Sequence, residues 1–199
     1  MSDIAVDTLQ PGEISAAATV LSRAFLTQPH YLAVWRRQDD VARRKIETVF
    51  KTAVLNRPVA SGWVARCDGQ IVGVLSMVES PHCQLSAIES LRLAPGIIPL
   101  FGTALPRAMR FESVWTKHDP RQHHWHLGPV GVLPEFQGQG IGSRLMETCC
   151  EIIDGRKDAA ALDTDRPENV PFYERFGFTV YEEESVLGVP NWFMWRPPH

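Results

Sequence analysis

The chain has 199 residues, 44% of them hydrophobic and 22% charged, values ordinary for one globular domain with a proper core. A formal net charge of −3 gives no general electrostatic case for nucleic acid or an anionic membrane as partner. No run approaches the roughly 18 apolar residues of a membrane span. The start, Met1-Ser2-Asp3-Ile4-Ala5-Val6-Asp7, has acids where a secretory signal needs basic and apolar segments, so a cytoplasmic location without membrane partners is expected.

In chain order, residues 4–9 alternate as a short strand and Pro11-Gly12 turns it. Apolar residues at Ile14, Ala17, Ala18, Leu21 and Phe25 repeat as on a helix over 13–26, which Gln28-Pro29 should end. Asp39-Asp40 can cap a second helix running to about 56, with Arg43, Arg44, Lys45 and Lys51 on a solvated face. Asp68-Gly69, between apolar runs at 63–66 and 71–78, signals a hairpin. Residues 86–118 read as a helical or irregular insertion broken by Pro95, Pro99 and Pro106. A strand at 125–132, a helix from 139 to about 155 and a buried strand at 159–164 follow. A short helix at 169–176 is closed by Gly177, and strands at 178–183 and 192–196 finish the chain.

The four cysteines, Cys67, Cys83, Cys149 and Cys150, show no Cys-x-x-Cys spacing, so neither a zinc site nor a disulfide framework is indicated. Cys149 continues the apolar stripe of Ile141, Leu145 and Ile152, and Cys150 lies beside it, as buried small hydrophobes.

The run Val130-Gly131-Val132-Leu133-Pro134-Glu135-Phe136-Gln137-Gly138-Gln139-Gly140-Ile141-Gly142-Ser143 carries the most chemistry. A strand feeding spaced glycines and then a helix aims unpaired N–H groups and the positive end of a helix dipole at one point, where a phosphate or pyrophosphate is the natural occupant. Gly142-Ser143-Arg144 lacks the lysine of a P-loop, and Gly138, Gly140 and Gly142 miss the third glycine position of the dinucleotide fingerprint. The unit also begins two-thirds of the way along the chain, where a dinucleotide fold would open with it.

Gln137, Gly140 and Gly142 meet the pattern Gln/Arg-x-x-Gly-x-Gly/Ala, and Asn169-Val170-Pro171-Phe172-Tyr173-Glu174-Arg175-Phe176-Gly177-Phe178 follows. Together these blocks resemble the acyl-CoA loop and the Asn-x-x-(Phe/Leu)-Tyr-x-x-x-Gly-Phe segment of the GNAT superfamily of N-acetyltransferases. The resemblance implies an α/β fold: one domain over 1–199 with a central, twisted, mostly antiparallel mixed sheet and helices on both faces. Residues 162–196, with the Trp-x-Leu-x-x-Val-Gly-Val of 125–132, look closest to the puromycin N-acetyltransferase group. Before residue 120 only the layout is shared.

The resemblance further implies direct acetyl transfer from acetyl-CoA to an amine within a ternary complex. The matching positions give the backbone of Val130 and Val132 to the pantetheine arm. They give the N–H groups of Gln137, Gly138, Gln139, Gly140, Ile141, Gly142 and Ser143 to the pyrophosphate, and Asn169 to the CoA arm or to a helix cap. Arg144 adds charge there or lies on the helix surface. Tyr173 matches the acid that protonates the leaving thiolate.

His126 stands where many relatives carry a glutamate base, and imidazole suits amine deprotonation. Strand alternation without a bulge would put His124, His126, Gly128, Val130 and Val132 on one face. The commoner reading of such a residue is a polar strand end, with His126 as base the functional candidate. No metal is expected at His123-His124-Trp125-His126, because only two of the histidines share a face and no acid or cysteine lies near in sequence. Asp163 and Asp165 orient the amine or sit in a solvated loop. The acceptor is expected to be a small-molecule amine, since the Trp115- and proline-containing insertion suits a closed pocket. A protein acetyltransferase and a non-enzymatic acyl-CoA-binding module stay as alternatives.

Overall fold

Seven strands, β1 (Ile4–Thr8), β2 (Ala60–Cys67), β3 (Gln70–Glu79), β4 (His124–Val132), β5 (Ala159–Thr164), β6 (Thr179–Val186) and β7 (Val189–Arg196), join in one sheet. Their order is β1-β2-β3-β4-β5-β7-β6, with β4 and β5 parallel and the other neighbours antiparallel. The structure is a computed structural model and describes residues 4–199; Met1, Ser2 and Asp3 of the acidic N-terminus lie outside the described residues. This is the mixed, mostly antiparallel sheet that the two motif blocks imply.

Helices α1 (Ile14–Phe25), α2 (Pro29–Trp35), α3 (Asp40–Val49), α4 (Ala87–Phe101), α5 (Leu105–His118), α6 (Ile141–Arg156) and α7 (Val170–Glu174) surround the sheet. Two glycines show how it is sandwiched. A Cβ on Gly131 would meet Leu21, Phe25 and Ala24 of α1, whereas one on Gly73 would meet Ile141 and Leu145 of α6. Gly73 pairs with Val132, the neighbour of Gly131, so the two helices cover opposite faces.

Local chemistry sets most boundaries. Asp39 accepts from the Ala42 N–H at 3.0 Å to start α3, and Ser86 and Glu89 make a reciprocal capping box on α4. Asp68 and Gly69 both have positive φ, 50° and 81°, as a tight two-residue hairpin turn requires. Cys149 and Cys150 are buried in the α6 stripe as expected. Burial raises both thiols, Cys150 to about 11. Arg196 of β7 grips Asp154 of α6 through two bonds of 2.6 and 2.8 Å and donates to Phe176 O, which pins the C-terminal strand to two helical segments.

Proline departs from the sequence expectation. Pro29 opens α2 rather than only ending α1, because the missing N–H of a first-turn residue costs nothing. Pro95 and Pro99 lie inside α4 without breaking it. That helix buries none of its residues, so carbonyls freed by the prolines remain accessible to water. Pro106 sits in the first turn of α5.

The stretch Ala87–His118 also departs from expectation: by length and hydropathy, 1.2 over its most apolar window, it is long and apolar enough to cross a membrane, and only 6% of that window is buried. Counting apolar runs missed it because Glu89 and Arg92 interrupt them. It is not one rod. Gly102, at φ 52° and ψ −124°, turns the chain between α4 and α5. The 15 residues of α4 reach about 22 Å, against a hydrocarbon core of about 30 Å.

A Cβ on Gly131 would approach Leu21 to 2.8 Å and Phe25 to 3.0 Å. Gly131→Ala is therefore expected to lower stability by about 1–3 kcal/mol in urea unfolding. Gly12→Ala, with nothing within 4 Å, serves as the control.

Candidate active site

The site begins with an irregularity in β4. Leu75 of β3 pairs with Val130, but Met77 pairs with Leu127, so β4 holds one extra residue around Gly128 and Pro129. Val132 lies opposite Gly73, on the α6 face, and Leu127 lies opposite Met77 on that same face. His124 and His126 consequently point to the other face. The expectation of a single row from His124 to Val132 required a regular strand, and the bulge breaks it.

The second feature is a splay. Strand β4 pairs with β5 only from His124 to His126, opposite Ala159 to Ala161. Beyond that point the two strands separate. Leu133 donates to Val72 O at 2.8 Å, which fixes the alternation of the β3–β4 ladder. Val130 and Val132 then fall at positions whose N–H and C=O point away from β3, into the gap. Val132 O already accepts from Gln137 Nε2 at 3.0 Å.

A cleft of about 640 Å³ fills this gap. Val130, Val132, Gln137, Gly138, Gly140, Ile141, Gly142, Ser143, Asn169 and Tyr173 all line it, which unites both sequence blocks. Gln139 and His126 are not among its walls. Gly138 and Gly140 adopt φ 75° and 80°, conformations that favour glycine. Among the described residues no protein acceptor takes the N–H groups of Gly138, Gln139 or Gly140, and the first N–H groups of α6 are free by helix geometry. Gln137 differs, because its N–H closes the turn on Pro134 at 3.3 Å. Arg144 points elsewhere and donates to Ile4 O of β1 at 2.7 Å.

Asn169 does not cap α7. Its amide donates to Thr164 Oγ1 at 3.1 Å, tying the start of the helix to the end of β5. Tyr173 is buried on α7. Burial first, then the negative charges of Asp163 and Asp165, push its hydroxyl well above the usual range. Tyr173 is therefore a firm proton carrier at neutral pH, facing a cleft rich in N–H donors.

Across the sheet, His126 Nε2 stands 3.5 Å from Asp163 Oδ1. Asp165 is not in a solvated loop. It accepts from the backbone N–H of His30 at 2.8 Å and lies 2.8 Å from His30 Nδ1. Burial opposes its ionisation, but the His30 contacts prevail and hold the carboxyl below its ordinary range. The His30 ring packs against Tyr31, Phe111 and Trp115, so α2 and α5 of the insertion wall this side with aromatic surface.

Sequence reading missed Arg166, which also lines the cleft. Its guanidinium binds Gln28 Oε1, Thr27 O and Glu168 Oε1 at 2.6, 2.9 and 3.0 Å, fastening the β5–α7 loop to the end of α1. No local pattern marks it, since Thr27 and Gln28 come from the other end of the chain.

The acetyltransferase (GNAT) family model matches residues 25–178. An uncharacterized N-acetyltransferase of Schizosaccharomyces pombe is 36% identical over 69 residues, which cover 35% of this chain and 28% of that protein. A glucosamine 6-phosphate N-acetyltransferase of Trypanosoma brucei brucei is 31% identical over 62 residues, 31% of this chain and 42% of that protein. The chain thus spans less than half the length of these curated relatives. A solved structure from Corynebacterium glutamicum, described as histone acetyltransferase HPA2 and related acetyltransferase, shares the fold with a TM-score of 0.76 at 24% identity, over 100% of this chain and 98% of that one.

Asp165 has a depressed folded pKa, so its stabilising effect is complete above the unfolded value of about 3.9 and is lost as pH falls through the folded one. Asp165→Asn is expected to be less stable at pH 7 and to lose less stability than the parent as pH falls below about 4. Thermal melts across that range check it; parallel acid limbs would refute the role.

Proposed function

Since this chain belongs to the acetyltransferase (GNAT) family, we propose that it moves the acetyl group of acetyl-CoA directly to the primary amine of a small molecule. One observation carries this reading: free N–H groups of the glycine loop, the outward backbone of Val130 and Val132, and the protonated Tyr173 all border one cleft. Such a cleft fits a pyrophosphate at the helix end and an extended amide-bearing arm along the strand edge.

In this reading the arm of acetyl-CoA adds to the open edge of β4 as a short strand would, which brings the thioester beside the bulge. The acceptor amine attacks the thioester carbonyl from the side walled by α2 and α5. A tetrahedral oxyanion forms and collapses, and the departing thiolate takes its proton from Tyr173. His126, backed by Asp163 at 3.5 Å, receives the proton that the amine must lose. Asn169 and Arg166 hold the β5–α7 loop that carries Tyr173 into place. The aromatic wall of Tyr31, Phe111 and Trp115 around His30, the partner of Asp165, supports a small amine with an apolar body. The C-terminal likeness to the puromycin N-acetyltransferase group recommends aminonucleosides among the first acceptors to test.

The test is thiol release from acetyl-CoA against amines, peptides and aminonucleosides, with product masses checked. Acetylation of a small amine supports the reading. Turnover with peptides alone would replace it by a protein acetyltransferase, and acetyl-CoA binding without turnover by a binding module.

Two substitutions separate the roles. At Gly142 a Cβ would lie 3.6 Å from Phe172 Cζ, an ordinary contact, so Gly142→Leu is expected to fold while its side chain fills the cleft. Calorimetry should then show loss of acetyl-CoA binding at an unchanged melting temperature. Tyr173→Phe is expected to lower kcat by about 100-fold or more with acetyl-CoA affinity nearly intact. An unchanged single-turnover rate would remove the acid role.

A further inference from the structure

Behind β4, on the histidine face, lies a group of side chains that acetyl transfer leaves unused. Cys83 follows β3, Asp119 follows α5, and His124 opens β4. Cys83 Sγ is 3.5 Å from His124 Nε2, and Asp119 Oδ1 is 3.4 Å from the same nitrogen. The three donor atoms all lie within 4.8 Å of one another. A tetrahedral ion with bonds of about 2.3 Å to sulfur and about 2.0–2.1 Å to nitrogen and oxygen would space S and N by about 3.5 Å and N and O by about 3.4 Å. Both measured edges match.

Hydrogen bonding gives a second, independent reason. His124 is fully buried, and its Nδ1 stands 2.8 Å from Gln122 O, a carbonyl that only accepts. A proton therefore sits on Nδ1, and Nε2 faces Cys83 and Asp119, where a metal ion or a second proton can satisfy it; a metal-binding histidine is oriented by a backbone carbonyl in this way. Opposite it, Asp119 Oδ1 is a buried acceptor with no hydrogen-bond partner. Two acceptors held 3.4 Å apart out of water need a positive charge between them.

We propose that Cys83, Asp119 and His124 bind a zinc-class divalent cation. The mixed sulfur, oxygen and nitrogen donors suit that class better than magnesium or calcium. Binding takes the thiolate form of Cys83, so one proton leaves to solvent as the ion enters. Solvent would complete the fourth position. The ion would tie both ends of the helical insertion to the first residue of β4. The sequence expectation of no metal overlooked Asp119, five residues before His124, and could not see Cys83, which arrives from 41 positions upstream. Nothing in this inference depends on the acetyl-transfer reading, and its test uses no turnover.

Full-length protein, stripped with chelator under reducing conditions, is titrated with Co²⁺ and then Zn²⁺. The expected result is one equivalent of Co²⁺ with a thiolate-to-cobalt charge-transfer band, displaced by Zn²⁺, and a higher melting temperature with either ion. Cys83→Ser should abolish the band and weaken binding by more than about 100-fold, beyond the range of second-shell changes. Asp119→Asn, at a partly exposed position that keeps the fold, should weaken Co²⁺ binding while keeping the band. Cys67→Ser should change nothing. No band and no thermal shift in the stripped parent would overturn the proposal, because a proton on His124 would then be the missing charge. A band that survives in Cys83→Ser would overturn it equally.

Discussion

One extra residue in β4 organises the molecule. A bulge bends its strand and sharpens the local twist. Here it falls at Gly128 and Pro129, just past the last residue of β4 that pairs with β5. Three apolar residues of β5, Ala159 to Ala161, close the sheet below that point, and above it β4 leaves its neighbour. Parallel strands that separate inside a sheet leave peptide groups without partners, a costly arrangement unless something else satisfies them. Gln137 satisfies part of this demand by reaching back to Val132 O. The rest is available to a ligand with amides of its own.

The same residue divides the chemistry between two faces. On the α6 face the strand presents Val130 and Val132 beside the glycine loop and α7. On the other it presents His124 and His126 to the acids Asp119 and Asp163 and to the insertion. A regular strand would have crowded the histidines and the valines onto one side, with the acids facing nothing. The gap between β4 and β5 opens where their pairing ends at His126, between these two sets of residues. Tyr173 lines the cleft, and the charge of Asp163 at the end of β5 helps to push the tyrosine hydroxyl above its usual range.

Motif spacing made the α6 face legible. Gly138, Gly140, Asn169 and Tyr173 carry their information locally, because a glycine run after a strand and a Phe-Tyr pair before Gly177 constrain the backbone wherever they occur. The other face was illegible for a physical reason. His30 with Asp165, Arg166 with Gln28, and Cys83 with His124 are pairs made by chain closure, each separated by 41 to 138 positions. The bulge escaped because apolar alternation resumes after it in the opposite phase, and Gly-Pro reads equally as a strand edge. Pro95 and Pro99 misled for the opposite reason: proline breaks a helix whose carbonyls are buried, and those of α4 are wet.

The glycines finally separate what the fold needs from what a ligand needs. Gly73 and Gly131 are required by packing, since a Cβ at either would come within 3.0 Å of the helix above it. Gly138 and Gly140 are required by backbone conformation, at φ 75° and 80°. Gly142 meets neither demand: it has no positive φ, and a Cβ there would find only Phe172 at 3.6 Å and Val132 at 3.9 Å. A glycine in the first turn of a helix nevertheless costs up to about 1 kcal/mol relative to alanine. The protein gains no packing for that cost. What it gains is an uncovered stretch of backbone at the cleft wall, where the helix dipole and the free N–H groups converge, and only a molecule entering the cleft can make use of it.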